Sequence, residues 1–210
     1  MESLLKHIKQ NIAKGLPGEA AHQKMAPTNR PISSLAIQNK SDYKESAVAV
    51  IIHNWNNEAH IILTERQTYK GAHSGQISFP GGKREIHDEN LLITALRETN
   101  EEIGLIIPEK DLISSLTQVY IPVSNFLVKP YLFITECNHD LSPDIREVKE
   151  IIHFPLKELL DNNSISTMEV KFPNGMIQKN IPCFKYDNKK IWGATALILN
   201  ELKELSSLRT

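Results

Sequence analysis

The chain has 210 residues, of which 40% are hydrophobic and 23% are charged, a composition typical of an ordinary soluble globular protein with one domain-sized core. Its net charge of −1 at pH 7 argues against a nucleic-acid partner and against a polybasic membrane surface. Two cysteines without C-x-x-C spacing, an N-terminus without the apolar segment of a signal peptide, and no run of ~18 apolar residues predict a cytoplasmic protein that does not enter a membrane.

The first 43 residues are expected to differ from the rest of the chain. Apolar residues recur at helical spacing between residues 3 and 14, and Gly15 ends that pattern. The stretch that follows is rich in Pro, Ser, Asn and Gln as far as residue 43. We expect residues 1–43 to form a helix and an irregular segment that pack on a main domain of residues 44–210.

The main domain alternates between strand and helix patterns, which indicates the α/β class. Four glycines and a proline within residues 71–82 predict a loop that lets the backbone approach a ligand closely. Asn174-Gly175 predicts the turn of a hairpin. The predicted strands cover residues 47–53, 59–64, 116–121, 131–136, 147–154, 170–172 and 177–182, and short helices are predicted at 156–160 and 194–205.

The most informative helix is predicted between Asp88, a plausible N-cap, and Gly104, a plausible C-terminal cap. Its apolar face carries Leu92, Leu96, Thr99 and Ile103. On another face Glu98, Glu101 and Glu102 stand at positions i, i+3 and i+4, where like charges repel one another. Such a cluster indicates a cation between the carboxylates, and ligands that are all oxygen favour Mg²⁺ or Mn²⁺ over zinc.

This segment resembles the Nudix box, G-x5-E-x7-R-E-U-x-E-E-x-G-U, in which U is aliphatic. The spacing before the arginine is one residue longer than in the box, so either Asp88 or Glu89 can be the upstream acid. Thr99 stands where the box has an aliphatic residue. The second half of the box is matched at Arg97, Glu98, Glu101, Glu102, Gly104 and Leu105.

The resemblance implies a Nudix-type α/β/α sandwich with a mixed β-sheet and a metal-dependent pyrophosphohydrolase activity. By the same resemblance Glu98, Glu101 and Glu102, with the carbonyl of Gly81, are the metal ligands. Glu98 and Glu101 are also catalytic candidates, and Glu98 is the position to which a base role has been assigned in some members of the family. Arg97 is a further catalytic candidate that orients Glu101.

A second motif lies upstream and resembles that of Nudix hydrolases that cleave coenzyme A, L-L-T-x-R-[SA]-x3-R-x3-G-x3-F-P-G-G. The chain departs from it at Gln67, where a small residue is usual, and at Gly71, where an arginine is usual. The matching positions are Leu63, Thr64, Arg66, Gly75, Phe79, Pro80, Gly81 and Gly82. The resemblance implies cleavage of coenzyme A, or of a derivative, into 3′,5′-ADP and a 4′-phosphopantetheine species.

Three cationic residues near the loop, Arg66, Lys70 and Lys83, are candidates for binding the substrate phosphates. Glu147 is a candidate to approach the metal site from a later loop. Trp55 and Trp192 are interpreted as core or homodimer contacts. Two alternatives stay open, namely hydrolysis of another nucleoside diphosphate-X such as ADP-ribose, and a catalytically silent domain that only binds nucleotide.

Overall fold

A computed structural model describes residues 1–68, 75–135, 141–171 and 175–207. The helices are α1 (Glu2–Ala13), α2 (Gly18–Gln23), α3 (Ser33–Ile37), α4 (Leu91–Ile103), α5 (Leu156–Leu160) and α6 (Gly193–Ser206). The strands are β1 (Lys44–Trp55), β2 (Glu58–Arg66), β3 (Ile77–Ser78), β4 (Gly81–Lys83), β5 (Leu112–Ser115), β6 (Val119–Ile121), β7 (Phe126–Thr135), β8 (Val148–Pro155), β9 (Ile165–Lys171), β10 (Ile177–Tyr186) and β11 (Lys189–Trp192). None of the helices in these ranges has the length and apolar content needed to cross a bilayer.

Strand β1 is the centre of a mixed sheet. It runs parallel to β7 from Lys44 to His53 and antiparallel to both β2 and β4. The sheet continues from β2 to β3 and β8, and from β7 to β5 and β6. A second, antiparallel sheet has the order β11-β10-β9. The mixed sheet predicted from the family resemblance is confirmed.

The residues of β1 alternate between two buried faces, as the period of a strand requires. Ala47, Ala49 and Ile51 point to the face covered by α4, where they join a core that includes Ile103. Val50 and Ile52 belong to the core on the opposite face, which is covered by α6. Because helices cover both faces of the sheet, the architecture is an α/β/α sandwich.

The N-terminal helices α1 and α2 pack on α6, and Ile8 and Met25 belong to the core beneath it. A polar network joins the same elements around the fully buried carboxylate of Glu201. It accepts hydrogen bonds from Thr117 Oγ1 (2.7 Å), Thr117 N (3.2 Å), His22 Nε2 (3.1 Å) and Gly18 N (3.3 Å). Burial alone would raise the pKa of Glu201, but the hydrogen bonds from His22 and Thr117 outweigh it and lower that pKa.

Several predicted elements differ in extent from the observed ones. The stretch expected to be irregular before residue 43 contains α2 and α3, and β5 was not predicted. The predicted strand 116–121 is limited to β6, while β7 begins earlier than predicted, and the glycine-rich loop contains β3 and β4. Residues 71–74 of that loop, residue 136 and Asn174 lie outside the described residues. Trp55 is 40% exposed and stacks on His153 with ring centroids 3.9 Å apart.

Candidate active site

Helix α4 is capped by Asn90, so the prediction that Asp88 caps it was wrong. Asn90 Oδ1 accepts hydrogen bonds from the backbone N–H groups of Leu92 (2.9 Å) and Ile93 (3.1 Å), which have no partner within the helix. Asp88 instead accepts hydrogen bonds from the Thr94 side chain and from the backbone N–H of Glu85. The helix ends at Gly104, as predicted, where φ is +69° and glycine is favoured.

The guanidinium of Arg97 is fully occupied by acceptors of the protein itself. Nε and Nη2 donate to the two carboxylate oxygens of Asp88 at 3.0 and 2.9 Å, and Nη2 also donates to the carbonyl of Lys83 at 3.2 Å. Nη1 donates to Glu98 and to Glu101, each at 2.9 Å. Because a guanidinium has only five N–H groups, no donor is left for a substrate. This favours a positioning role for Arg97 over direct catalysis.

Asp88 is the acid that holds Arg97 in place. It is 4% exposed and also accepts hydrogen bonds from Thr94 Oγ1 (2.9 Å) and the backbone N–H of Glu85 (2.8 Å). The hydrogen bond from Arg97 is the largest of the effects that hold the pKa of Asp88 well below its usual range. Glu89 is exposed. Asp88 is therefore the upstream acid that pairs with the arginine of the motif.

Two neighbouring glycines bring β4 against the carboxylates of α4, for different reasons. Gly81 has a φ of +150°, and a Cβ built on it would lie 2.3 Å from the backbone oxygen of Ala47. Gly81 N donates to Glu102 Oε2 at 3.2 Å. A Cβ on Gly82 would lie 2.3 Å from Cδ of Glu98. The first glycine allows the strand pairing, and the second leaves room for a carboxylate.

The carboxylates of Glu98 and Glu102 both lie beside β4, where their surroundings disfavour the charged forms. Glu102 is 3% exposed, and burial raises its pKa to about 7 against the opposing effect of Arg66. Repulsion from Glu98 and Glu147 adds to that increase. Burial likewise raises the pKa of Glu98, although Arg97 opposes it. A cation among these groups would favour their charged forms.

Glu101 lies apart from this pair. Its side chain is 57% exposed and contacts Arg97. Within the described ranges, no three His, Cys, Asp or Glu side chains are gathered closely enough to hold a metal ion as they stand. The predicted set of three helix carboxylates is therefore not assembled in this conformation, in which Arg97 holds two of them.

An open cleft of about 540 Å³ lies beside Glu102 and is lined by Arg66, Gln67, Thr68, Ile145, Arg146 and Glu147. Arg66 Nη1 is 3.5 Å from Glu102 Oε1, which is an ion pair without a close hydrogen bond. Among the described residues, the buried Nε of Arg66 has no hydrogen-bond partner. Unlike the guanidinium of Arg97, that of Arg66 is thus not fully paired with the described residues.

The other predicted cationic residues are less informative. Lys83 is exposed, and its backbone carbonyl accepts a hydrogen bond from Arg97. Lys70 lies outside the described residues. Sequence analysis missed the contribution of Ile145 and Arg146 to the cleft, because their position beside Gln67 depends on packing between segments that are distant in the sequence. Glu147, named as a candidate, does stand close enough to raise the pKa of both Glu98 and Glu102.

A sequence model of the NUDIX domain matches residues 44–172, which is more than half of the chain. The chain belongs to the Nudix family. It is 34% identical over 129 residues to the mitochondrial coenzyme A diphosphatase NUDT8 of Homo sapiens, covering 61% of this chain and 54% of that protein. The chain thus spans about half the length of that relative. It is 28% identical over 151 residues to the Nudix hydrolase NudL of Yersinia pestis (strain Pestoides F), covering 72% and 74% of the two chains.

Solved structures confirm the Nudix fold. The MutT/nudix family protein from Enterococcus faecalis gives a TM-score of 0.54 at 16% identity, over 87% of this chain and 70% of that one. The MutT protein from Methanosarcina mazei Go1 gives a TM-score of 0.52 at 20% identity, over 79% and 95%. At these identities the similarity concerns the fold alone.

Nudix hydrolases generally use divalent metal ions, and the donors at this site fit such an ion. The available groups are oxygens, which Mg²⁺ and Mn²⁺ prefer. Burial raises the pKa of Glu98 and of Glu102 although each has an arginine beside it, and Gly82 leaves the Glu98 carboxylate the room it needs. These observations concern the residues of the Nudix box alone and leave the choice of metal open.

Proposed function

We propose that this Nudix hydrolase cleaves the phosphoanhydride of coenzyme A or of a coenzyme A derivative. Water adds to one phosphorus, the bridging P–O bond breaks, and the products are 3′,5′-ADP and a 4′-phosphopantetheine species. The motif that includes Thr64, Arg66 and residues 79–82 supports this substrate class. So does the similarity to the human coenzyme A diphosphatase over 129 residues.

The observation that carries the proposal is the state of Arg66. Its guanidinium lies on the wall of the cleft, half-buried, beside the buried Glu102. A partly desolvated guanidinium with unused donors suits a phosphate, because it can give two parallel hydrogen bonds. Ile145, which is 77% exposed, adds an apolar surface to the same cleft. The cleft thus offers both polar and apolar contacts to a long substrate.

The residues proposed to hold Mg²⁺ or Mn²⁺ are Glu98 and Glu102, with Glu101 and the Gly81 carbonyl as the further ligands that the Nudix box implies. When bound, such an ion supplies positive charge to the non-bridging phosphate oxygens and lowers the pKa of a water molecule. In this structure the Glu101 carboxylate accepts a hydrogen bond from Arg97.

The protein's own contribution is mainly to fix these groups in place. Asp88 orients Arg97, and Arg97 in turn orients Glu98. Gly81 N holds one oxygen of Glu102, which leaves Glu102 Oε1 directed toward Arg66. A site arranged in advance in this way loses less free energy to reorganisation during the reaction.

A substrate panel tests the proposal. Coenzyme A, dephospho-coenzyme A and ADP-ribose are incubated separately with the protein and Mg²⁺ or Mn²⁺, and the products are identified by mass spectrometry. We expect the highest kcat/KM with coenzyme A and a lower value without the 3′-phosphate. Faster cleavage of ADP-ribose would contradict the proposed substrate, and binding without cleavage of any of the three would indicate a silent domain.

The role of Arg66 is tested by Arg66→Gln. Hydrogen bonds to charged groups contribute about 1.5–3 kcal/mol, so kcat/KM for coenzyme A is expected to fall by about 10- to 100-fold. Lys157→Gln is the control, because Lys157 is exposed and pairs with Glu58 away from the cleft. Equal losses in the two variants would show that Arg66 does not contact the substrate.

A further inference from the structure

We propose that Arg146 is a specificity-determining residue whose guanidinium binds the 3′-phosphate of the substrate at the exposed wall of the cleft. Arg66, deeper in the same cleft, then serves the phosphates that are cleaved. The inference deepens the proposed function and rests on it for the identity of the substrate. It assigns a role to a residue outside both motifs, in a chain that has Gly71 where the upstream motif has its second arginine.

The backbone on both sides of Arg146 is attached to the end of β2. Gln67, which follows Arg66, makes two hydrogen bonds to this segment. Its side-chain Nε2 donates to the carbonyl of Ile145 at 2.9 Å, and its backbone N–H donates to the carbonyl of Glu147 at 2.8 Å. Arg146 is therefore held between two anchored residues, and it lines the same cleft as Arg66.

The side chain of Arg146 is oriented by Asp144. Nε of Arg146 donates to the two carboxylate oxygens of Asp144 at 2.9 and 3.1 Å, and Nη2 donates to Oδ2 of the same group. The backbone N–H of Asp144 donates to the carbonyl of Glu102 at 2.9 Å, which attaches Asp144 to the last turn of α4. The guanidinium is thus positioned relative to the helix that carries the proposed metal ligands.

The pair with Asp144 uses only one edge of the Arg146 guanidinium. Among the described residues, Asp144 accepts the hydrogen bonds of Nε and Nη2, and Nη1 has no acceptor. A guanidinium has five N–H groups, so the edge formed by Nη1 and the second N–H of Nη2 is left. This edge can give two parallel hydrogen bonds to one phosphate. The side chain is 85% exposed, so a ligand can reach it from solvent.

The two arginines of the cleft lie at different depths, which suits phosphates at different distances from the reaction. The Arg66 side chain is 28% exposed and is 3.5 Å from Glu102, one of the proposed metal ligands. Arg146 is far more exposed and pairs with Asp144 instead. Coenzyme A carries one phosphate away from its phosphoanhydride, the 3′-phosphate of the ribose. As a phosphate monoester it has about −1.5 to −2 charges at pH 7, which favours a guanidinium as its partner.

The test measures recognition of the 3′-phosphate without cleavage. Isothermal titration calorimetry in EDTA gives the Kd of 3′,5′-ADP and of 5′-AMP, two nucleotides that differ by the 3′-phosphate alone. A hydrogen bond to a charged group at the lower end of its usual range corresponds to about tenfold in affinity. We expect the unmodified protein to prefer 3′,5′-ADP by about tenfold, and Arg146→Gln to reduce that preference to within about twofold.

Three further variants serve as controls. Arg66→Gln should weaken the binding of both nucleotides by the same factor, because both carry the 5′-phosphate. Arg146→Lys retains the charge but not the fork, so its preference should be intermediate. Lys157→Gln removes the same charge from an exposed ion pair away from the cleft and should leave both affinities unchanged. Equal affinities of the unmodified protein for the two nucleotides, no binding of either, or a preference that survives Arg146→Gln would overturn the inference.

Steady-state kinetics repeat the comparison with coenzyme A and dephospho-coenzyme A. The 3′-phosphate lies away from the reacting phosphorus, so its contact contributes equally to the ground state and the transition state. Arg146→Gln should therefore raise KM for coenzyme A by about tenfold at unchanged kcat, and should leave KM for dephospho-coenzyme A within about twofold. An equal loss with both substrates would show that Arg146 contacts another part of the molecule.

The two proposals fail separately in these experiments. A protein that prefers 3′,5′-ADP through Arg146 but leaves coenzyme A intact contradicts the proposed cleavage and supports the role of Arg146. A protein that cleaves coenzyme A while Arg146→Gln leaves the preference for the 3′-phosphate unchanged contradicts the role of Arg146 alone.

Discussion

Two buried carboxylates, one on each side of the sheet, have pKa values shifted in opposite directions. Glu201 is fully buried and accepts four hydrogen bonds, which lower its pKa. Glu102 is 3% exposed, accepts one backbone hydrogen bond and has Arg66 at 3.5 Å, and its pKa is raised to about 7. Equal burial thus gives a stable anion in one place and an uncompensated carboxylate in the other.

The difference lies in the number of donors that the fold supplies. Glu201 joins α6 to α2 and to the segment before β6, so its charge stabilises the packing of those elements. Glu102 has fewer donors than a buried carboxylate needs, and such a deficit costs free energy. Such a deficit on α4 agrees with the cation site proposed above.

The largest expected effect is on turnover, and it tests whether Glu102 and its neighbour serve a cation. Glu98→Gln and Glu102→Gln are each expected to lower kcat by at least about 10²-fold, because each removes a charge proposed to hold the metal ion. Glu169→Gln, on the exposed strand β9, is the control. Melting temperatures with and without Mn²⁺ accompany the assay, and near-normal turnover in both variants would refute the metal-site proposal.

Glu201, the carboxylate on the other side of the sheet, is expected to contribute to stability. In Glu201→Gln the amide cannot accept all four hydrogen bonds, so the free energy of unfolding should fall by about 2–3 kcal/mol while kcat of the folded protein is retained. Urea unfolding measures the first quantity. Glu204→Gln, which weakens a pair with the exposed Lys24 and a 3.5 Å contact with Asn200, should cost less than about 1 kcal/mol. A cost for Glu201→Gln no greater than that control would contradict the structural role.

Gly81 and Gly82 are adjacent, but substitutions at the two positions should affect different properties, stability at Gly81 and turnover at Gly82. Gly81→Ala should lower the free energy of unfolding by about 2 kcal/mol or more, because its Cβ meets the backbone of Ala47 at a strained φ. Gly82→Ala meets only the movable end of Glu98, so stability should change by less than about 1 kcal/mol while kcat falls at least about tenfold. Thermal melts and kcat for both variants provide the comparison, and a reversed pattern would contradict it.

The smallest expected effect is on the pH dependence of the free energy of unfolding, which reports the ionisation of Glu102 directly. A carboxyl whose pKa rises from 4.5 to about 7 on folding binds more protons in the folded state within that window, so its contribution to stability is lost as pH rises through it. Without metal, Glu102→Gln should therefore gain on the order of 1–2 kcal/mol relative to the unmodified protein between about pH 5 and about pH 7. Urea unfolding in EDTA measures this gain, and Mn²⁺ should abolish it. A difference between the two proteins that does not vary with pH would show that Glu102 ionises normally.

Much of the architecture could be predicted from the sequence because local patterns determine it. The apolar run of residues 47–53 and the glycine that ends α4 are local signals, and the buried strand and the helix end that they predict are both confirmed. Thr99, a departure from the box, remains compatible with the core because its hydroxyl donates to the Ala95 carbonyl at 2.7 Å within the helix. The boundaries of β5 to β7 were predicted less well, since short strands depend on their neighbours in the sheet.

The site was less predictable wherever it depends on contacts between distant segments. The choice between Asp88 and Glu89 needed the position of Arg97 relative to the preceding turn. The unpaired Nε of Arg66 and the hydrogen bond from Gln67 to the Ile145 carbonyl arise from the packing of β2, α4 and residues 141–147. No motif within one segment contains that information.

The five hydrogen bonds of Arg97 have a consequence for how the protein matures in a cell. Because Arg97 already neutralises Asp88 and draws Glu98 and Glu101 toward itself, α4 carries its own counterion. The helix can therefore form during synthesis without waiting for metal, and an ion can leave or exchange later without loss of the helix. On the proposed function, supply of the divalent ion would then change the activity of the protein more than the amount of it that is folded.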